Sequence, residues 1–271
     1  MSTPPIDVLL DHLRRIALLA GQAILSVYED DAFKVTEKDD KSPVTEADTR
    51  AEAIILAELA RIAPDVAVIA EESVAGGKKL VAHQRFFLVD PLDGTREFIK
   101  RNGEFTVNIA LIENRRAVAG VVLAPAIGKL FLGGRGRASA QEVDPGELLR
   151  RGAGANLTSP TPIHARKVPA DGAVAVASRS HRDPKTDEFL REHGITKIAS
   201  SGSSLKFCLV AAGDADVYPR HGTTMEWDTA AGQAVLEAAG GIVTELDGAP
   251  LLYGKFDRGL VNPHFIARGL V

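Results

Sequence analysis

Residues 86–98 read FFLVDPLDGTREF, an apolar run followed by a turn and the first residues of a helix. The apolar run is typical of a buried strand, and we predict that this strand ends on Asp90. Gly94 allows a tight backbone turn, and a helix is predicted to begin near Thr95. The segment is therefore interpreted as strand, turn and helix, with acidic side chains placed in the turn.

The acidic residues of this turn suggest a metal site. Asp90 and Asp93 lie three residues apart across the turn, a spacing that can bridge hard divalent cations, which prefer oxygen ligands. The main-chain carbonyl of Leu92 is a third candidate ligand. Gly94 and Thr95 present backbone N–H groups at the helix start, where a phosphate group is bound favourably. One loop thus offers metal ligands and an anion site together, although an ordinary aspartate-rich turn would have the same sequence.

Two further acidic segments can join this loop. VAVIA at 66–70 predicts a second buried strand, and Glu71 follows it directly. If the two strands are parallel neighbours, Glu71 and Asp90 emerge at the same edge of the sheet. In MEWDTAAG at 225–232, Asp228 is expected to open a helix, either as its N-cap or as a metal ligand delivered from a second lobe. Four such carboxylates cannot be buried unpaired, and two Mg²⁺ ions would balance their charge.

The rest of the chain predicts alternating helices and strands. Apolar residues recur at helical spacing over 6–28 and about 46–62, and the polar segment 29–48 is read as an exposed loop up to the start of the second helix. The region from about 133 to 169 is rich in Gly, Pro and Arg and is interpreted as the boundary between lobes. The remaining predicted elements are strands at 105–112, 117–124 and 173–178 and helices near 185–191, 203–212 and 228–239. This pattern predicts a layered α/β fold whose mixed sheets are covered by helices.

Composition excludes several classes of protein. The 271 residues include 32 Lys and Arg against 36 Asp and Glu, a net charge of −4, so the chain has no bulk attraction for nucleic acid or anionic lipid. Its single cysteine, Cys208, excludes an internal disulfide and a thiolate metal cage, and its apolar surroundings favour a core position. No apolar run approaches the roughly 18 residues of a membrane-spanning helix. A cytoplasmic protein is expected, and nothing in the sequence provides an anchor for peripheral association with the inner membrane.

Taken together, EES, DPLDGT and EWDTAAG resemble the inositol monophosphatase superfamily of lithium-sensitive, Mg²⁺-dependent phosphatases, over nearly the whole chain. Finer features are similar to its 3'(2'),5'-bisphosphate nucleotidase branch, the CysQ type. These features are SPVTEAD at 42–48, DPLDGTREFIKRNGEFTVNIAL at 90–111, VASRSHRD at 176–183 and SSLKFCLVAAGDADVYPRHG at 203–222. The resemblance implies an αβαβα sandwich forming one unit of residues 1–271, with a metal-loop lobe at about 1–150 and a nucleotide lobe at about 151–271.

The resemblance also implies roles for individual residues. Metal ligands would be Glu71, Asp90, the Leu92 carbonyl, Asp93 and Asp228. All of these except Asp90 would also contact the substrate, together with Gly94 and Thr95. Thr95 and Glu71 would hold the attacking water, and Asp48 would act on that water or on a third Mg²⁺. The nucleotide and its second phosphate would be bound by His181, Ser203, Lys206 and Arg220, which could equally be ordinary polar residues of the surface.

The implied reaction is hydrolysis of 3'-phosphoadenosine 5'-phosphate to AMP and phosphate in sulfur assimilation, with two or three Mg²⁺ ions per site. The sulfated analogue, 3'-phosphoadenosine 5'-phosphosulfate, is a further expected substrate. Alternatives are an inositol monophosphatase, a sugar bisphosphatase or a non-catalytic nucleotide sensor. A second phosphate needs basic partners, whereas a monophosphorylated polyol does not, so His181, Lys206 and Arg220 discriminate among these. The sequence leaves open whether the protein is a monomer or a homodimer.

Overall fold

The two long amphipathic patterns near the N-terminus form helices with the predicted bounds. The computed structural model describes residues 4–30, 35–37, 43–177 and 183–270. Helix α1 (Ile6–Tyr28) buries Leu9, Leu13 and Ile16 at the three- and four-residue spacing of one helix face. Two short strands, β1 (Val35–Glu37) and β2 (Pro43–Thr45), form an antiparallel pair within the segment interpreted as a loop. Helix α2 (Glu46–Ile62) begins with a capping box in which Thr45 and Asp48 exchange hydrogen bonds.

The remaining elements follow in chain order. They are β3 (Ala67–Ala70), α3 (Glu71–Ala75), β4 (Arg85–Asp93), α4 (Thr95–Ile99), β5 (Thr106–Glu113), β6 (Arg116–Ala124), β7 (Lys129–Gly134), β8 (Arg137–Glu142), α5 (Pro145–Arg151) and β9 (Thr161–Pro162). After these come β10 (Val174–Ala177), α6 (Pro184–Glu192), β11 (Lys197–Ser200), α7 (Leu205–Ala211), β12 (Val217–Arg220), α8 (Glu226–Ala238), β13 (Ile242–Glu245) and β14 (Phe265–Arg268). Short 3₁₀ turns lie at Gly152–Gly154 and Phe256–Arg258.

The first sheet has seven strands in the order β3-β4-β5-β6-β7-β8-β9. Strands β3 and β4 are parallel, which is the condition under which Glu71 and Asp90 were expected at one edge of the sheet, and the other neighbours are antiparallel. Helices α1 and α2 cover one face of this sheet with a continuous apolar cluster. Helix α8 covers the other face. The backbones of the helix and the sheet approach closely there, since a Cβ on Gly133 would lie only 2.4 Å from the Cα of Val235.

The second sheet has five strands in the order β11-β10-β12-β14-β13. Its inner face shares one apolar cluster with α7, α8 and the first sheet. Its outer face packs on α6, where Phe189 and Leu190 contact Ala175, Val217 and Ile266. The layers are therefore helix, sheet, helix, sheet and helix, so the predicted αβαβα class is confirmed.

The structure contains more regular local structure than predicted in three places. The region from 133 to 169 contains the end of β7, all of β8, helix α5 and β9, so it extends the first sheet and is not only a connection. Small residues hide these strands in the sequence, since Gly133 and Gly134 make room for neighbouring elements. Strand β4 continues past Asp90 to Asp93, and β1 and β2 occupy part of the predicted loop. Among the described residues, no helix has the length and apolarity needed to cross a membrane.

Candidate active site

Three carboxylates converge where the first sheet meets α8. Glu71 is the first residue of α3 and follows β3 directly, and Asp90 lies on the parallel neighbour β4. Because parallel strands present their carboxyl ends at the same sheet edge, these two side chains meet there. Asp228 reaches the same point from α8, and one carboxylate oxygen of each residue lies within 4.8 Å of the others.

Asp93 reaches the same cleft because β4 is irregular. Asp90 pairs with Asn108 and Asp93 with Thr106, so β4 contains one residue more than β5 between these two pairs. A bulge of this kind redirects the strand and its side chains. Gly94 then adopts φ +92°, a left-handed conformation that glycine accepts without cost, and α4 begins at the next residue. The predicted turn is therefore built from a bulge and a left-handed glycine.

Burial and mutual repulsion both disfavour the charged form of these aspartates. Burial is the largest cause that raises the pKa of Asp90 well above its ordinary value, and the charges of Glu71, Asp93 and Asp228 raise it further. Burial likewise raises the pKa of Asp228, with Asp93 and Glu71 as the next causes. Burial also raises the pKa of Asp93, although the Lys206 ammonium opposes that rise. Such a set of converging oxygens fits a hard divalent cation, which would neutralise it.

Thr95 joins the acidic cluster to α2. Its Oγ1 lies 3.3 Å from Oδ1 of Asp48 and 3.4 Å from the carbonyl oxygen of Leu92. The second oxygen of Asp48 accepts hydrogen bonds from the backbone N–H and the hydroxyl of Thr45. The capping box of α2 therefore fixes the carboxylate that faces Thr95, and Asp48, Leu92 and Thr95 lie together.

Basic side chains line the other wall of the cleft, whose volume is about 310 Å³. Lys206 is 4 % exposed and donates a hydrogen bond of 2.5 Å to the carbonyl of Ser203. Burial lowers the pKa of Lys206 to about 8, opposed by the charge of Asp93. Arg220 donates from Nη2 to the carbonyl of Thr223, and its buried Nε has no hydrogen-bond partner within the part of the chain that the structure describes. His181 lies outside the described residues.

A profile of the inositol monophosphatase family matches residues 6–269 of the chain. The chain belongs to the inositol monophosphatase family. Its curated relatives include the 3'(2'),5'-bisphosphate nucleotidase CysQ of Shigella flexneri, 43% identical over 95% of this chain and 98% of that protein. The CysQ of Escherichia coli strain K12 is 42% identical over the same shares.

Solved structures of the inositol monophosphatase family share the fold. CysQ from Bacteroides thetaiotaomicron superposes with a TM-score of 0.75 at 39% identity, covering 97% of each chain. An inositol monophosphatase from Anabaena superposes with a TM-score of 0.71 at 27% identity, covering 97% of this chain and 91% of that one. The chain is thus similar in fold to both branches of the family, and its sequence is more similar to that of the CysQ protein than to that of the Anabaena enzyme.

The family motif at α8 differs in detail from the prediction. The helix begins at Glu226, two residues before Asp228, with Met225 as its N-cap residue. Asp228 is therefore the third residue of the helix and accepts the backbone N–H of Met225 on Oδ2 at 2.8 Å. The Glu226 carboxylate, fully buried, accepts the backbone N–H groups of Gly254 and Lys255 at 2.7 and 2.9 Å, which seats the start of the helix.

Sequence reasoning also missed Tyr218 as a residue of the cleft. Tyr218 and Arg220 both line the cleft, and the Lys206 ammonium lies 5.4 Å from the tyrosine ring centre. The signal was available, because residues two apart on a strand share a face and VYPR at 217–220 is strand β12. Recognising VYPR as a strand would have placed Tyr218 beside Arg220.

Cys208 lies in the apolar core, as the sequence predicted, with no exposed surface. Burial raises the pKa of its thiol far above the usual range, so the reactive thiolate does not form at neutral pH. We expect Cys208→Ala to retain full hydrolytic activity and the parent to resist inactivation by iodoacetamide. Rapid loss of activity with alkylation of Cys208, measured by mass spectrometry, would contradict this placement.

Proposed function

We propose that this family member is a Mg²⁺-dependent 3'(2'),5'-bisphosphate nucleotidase that hydrolyses the 3'-phosphate of 3'-phosphoadenosine 5'-phosphate. The observation that carries the proposal is the pairing of two opposite charges across one cleft. An acidic cluster suited to divalent cations faces a buried lysine and an arginine whose Nε lacks a hydrogen-bond partner among the described residues. The names of the CysQ relatives support the same substrate class.

The proposed metal ligands are the carboxylates of Glu71, Asp90, Asp93 and Asp228 and the carbonyl of Leu92. When bound, Mg²⁺ lowers the pKa of a coordinated water and offsets the negative charge of the phosphate. Two ions balance the carboxylates, and a third could accompany the substrate. The convergence of the Glu71, Asp90 and Asp228 oxygens supports this donor set.

Thr95 and Asp48 are proposed to orient the attacking water. The Thr95 hydroxyl can donate its proton to Oδ1 of Asp48, which leaves a lone pair on Oγ1 to accept a hydrogen bond from water. The Glu71 carboxylate can accept the second proton of that water. These two hydrogen bonds orient the water so that one of its lone pairs points toward the phosphorus in the cleft. The water itself is then the nucleophile, and no protein nucleophile is needed.

Lys206 and Arg220 are proposed to bind the second phosphate of the substrate. Lys206 is buried where it lines the cleft, and the charge of Asp93 offsets part of the cost of burying its ammonium, which a bound phosphate would offset further. Arg220 is fixed through Nη2 while Nε remains a donor for an anion. We retain the division into a metal-loop lobe at about 1–150 and a nucleotide lobe at about 151–271, noting that Asp228 would cross it.

Rates of phosphate release test the proposal. The substrates to compare are 3'-phosphoadenosine 5'-phosphate, 3'-phosphoadenosine 5'-phosphosulfate, inositol 1-phosphate, fructose 1,6-bisphosphate and AMP, each with Mg²⁺ or chelator and with Asp93→Asn as the inactive control. Preference for 3'-phosphoadenosine 5'-phosphate, lost in chelator and in the variant, is expected. Preference for the inositol or sugar phosphate would refute the substrate assignment. Nucleotide binding without turnover would indicate a sensor.

Arg220→Gln should show which phosphate of the substrate Arg220 binds. A charge-assisted hydrogen bond contributes about 1.5–3 kcal/mol, so kcat/KM for 3'-phosphoadenosine 5'-phosphate should fall about 10- to 100-fold. For 3'-AMP, which lacks the 5'-phosphate, the change should stay within about threefold, because no partner is lost. Arg258→Gln is the matched control, since that side chain is 71% exposed. Equal losses on both nucleotides would argue against a contact with the 5'-phosphate.

A further inference from the structure

Residues 201–204, here called the serine turn, connect β11 to α7. They contact residues 90–95, here called the metal loop. Ser203 donates from Oγ to the main-chain carbonyl of Asp93 at 2.7 Å. The backbone N–H of Gly202 donates to Oε2 of Glu104 at 3.0 Å. Ser203 is thus tied to Asp93, and Gly202 is tied to Glu104, which lies just before β5.

A buried chain of hydroxyl groups extends this contact to strand β5 of the first sheet. Ser204 donates to Oδ1 of Asn108 at 2.6 Å, and Thr106 Oγ1 lies 2.8 Å from Ser204 Oγ and 3.2 Å from Ser203 Oγ. Both serines donate their protons to carbonyl oxygens, so the single hydroxyl proton of Thr106 is the one left in this cluster, and Thr106 donates it to Ser203 Oγ. Thr106 and Asn108 pair across the sheet with Asp93 and Asp90, which places the chain beside both aspartates.

The packing leaves no room for other arrangements at this contact. A Cβ on Gly202 would lie 2.7 Å from the carbonyl oxygen of Glu104, and one on Gly94 would lie 3.0 Å from Ser203 Oγ. Ser203 itself has φ +55°, a left-handed conformation that costs a non-glycine residue free energy and persists only when its surroundings impose it. The hydroxyl bond to Asp93 is the interaction that requires a serine at this strained position.

The same residue also contacts the basic wall of the cleft. The Lys206 ammonium donates to the carbonyl oxygen of Ser203, while the Ser203 hydroxyl donates to Asp93. Ser203 therefore links a cation that lines the cleft to the backbone of the metal loop through two hydrogen bonds. A movement of Lys206 or of the metal-loop backbone would therefore displace or break one of these two hydrogen bonds.

We infer that Ser203 is a positioning residue whose hydroxyl, supported by Thr106, fixes the Asp93–Gly94 peptide for metal binding, in contrast to the substrate contact that the family resemblance implies. Binding of a phosphate beside Lys206 and binding of cations at Asp93 are thereby coupled through the serine turn. The inference rests on the proposed metal site, but the hydrogen-bonded chain itself can be tested without metal or turnover.

Calorimetric titration of the nucleotide-free protein with Mg²⁺ tests the role of the hydroxyl. Ser203→Ala and Thr106→Val should raise the dissociation constant of Mg²⁺ about 10- to 100-fold, the usual effect of losing a partner behind a metal ligand. Thr106→Ser should restore it, and Ser200→Ala, exposed on β11, should leave it unchanged. Ser203→Gly removes the hydroxyl without the strain of a positive φ, so a Mg²⁺ affinity as weak as in Ser203→Ala isolates the hydrogen bond from folding defects.

Binding of AMP in chelator gives the opposite test. Without Mg²⁺, Ser203→Ala should change the AMP dissociation constant by less than about threefold, because Lys206 and Arg220 remain. Weaker AMP binding with unchanged Mg²⁺ affinity would show a direct substrate contact and overturn the inference. AMP should also tighten Mg²⁺ binding in the parent and do so less in Ser203→Ala.

Thermal unfolding in chelator tests the chain of hydroxyls independently of metal. Since Ser203 and Thr106 act as one network, the double variant Ser203→Ala with Thr106→Val should lower the unfolding midpoint little more than the larger single change. Fully additive losses would overturn the inference. A parent that fails to bind Mg²⁺ while showing non-additive losses would instead refute the proposed metal site and its dependent role for Ser203.

Discussion

Asp90→Asn is expected to abolish metal-dependent phosphate release and, in metal-free protein, to raise the midpoint of thermal unfolding. The loss of activity should be about 10³-fold, since Asp90 is a proposed ligand of the Mg²⁺ whose positive charge would stabilise the transition state. The gain in stability follows because Asp90 is 1% exposed and its charge is opposed by burial and by Glu71, Asp93 and Asp228. The hydrogen bond from the Leu92 N–H to Oδ1, 3.0 Å long, can be kept by the amide oxygen of asparagine.

The pH dependence of this effect has a definite sign. The folded carboxyl of Asp90 holds its proton more tightly than the unfolded one, because its pKa is raised above the ordinary value of 3.8. The native state therefore binds more protons, and the free energy of unfolding of the metal-free parent falls as pH rises from near 4 through the raised pKa. Asparagine removes this contribution, so the advantage of the variant grows over that range.

Calorimetry or circular dichroism between pH 4 and 8, in chelator and in Mg²⁺, measures both effects. A difference of about 1 kcal/mol moves the midpoint of a chain of this size by roughly 2–4 °C. Added Mg²⁺ should stabilise the parent and much less the variant, since a ligand of the native state stabilises it by mass action. Asp257→Asn, whose side chain is 82% exposed, is the matched control. A lower midpoint for Asp90→Asn in chelator at every pH would contradict the repulsion.

Gly133→Ala should destabilise the protein strongly and weaken metal binding at a distance. A Cβ at this position would lie 2.4 Å from Val235 Cα and 2.7 Å from the carbonyl oxygen of Ala234, both backbone atoms of α8. Because backbone cannot move aside as a flexible side chain does, α8 must shift away from the sheet and carry Asp228 with it. We expect a loss of about 2–3 kcal/mol or more in the free energy of unfolding.

Urea unfolding and Mg²⁺ titration of the same variant measure these two consequences. Gly154→Ala is the control, since a Cβ there meets nothing within 4 Å and the residue does not need a positive φ. That control should be neutral or slightly stabilising. If Gly133→Ala kept the Mg²⁺ affinity of the parent while losing stability, the position of Asp228 would be independent of the contact between α8 and the sheet.

The sequence predicted the parts of this molecule that have local signals. The bounds of α1 and α2 follow from apolar spacing and, at α2, from a capping box. The convergence of Glu71 and Asp90 follows from one parallel strand pair, which the apolar runs before both residues indicated. For Asp228 the sequence pattern left an N-cap and a metal ligand open, and the family resemblance favoured the ligand, because no local signal ties α8 to β4.

Other features had no such signal. Strand β7 was missed because it ends in two glycines, of which Gly133 admits α8, and β8 was missed because its residues, RASAQE, are small or polar. The bonds of Ser203 and Ser204 to Asp93 and Asn108 join residues about 100 positions apart, and hydroxyl groups show no periodicity that reveals such partners. Ser203 was therefore interpreted from resemblance alone, and its assigned substrate contact stays a prediction.

Helix α8 packs against both sheets, and the sequence that forms it also contributes to the proposed metal site. Its first turn contains Asp228. Its backbone packs closely against Gly133, and its Gly232 packs closely against Phe207 of α7. A substitution along this helix therefore alters catalysis and folding at once. In the second sheet the serine turn has the same double role, because Ser203 bonds both to Lys206 and to the Asp93 carbonyl, so a change there also affects the two sides of the cleft together.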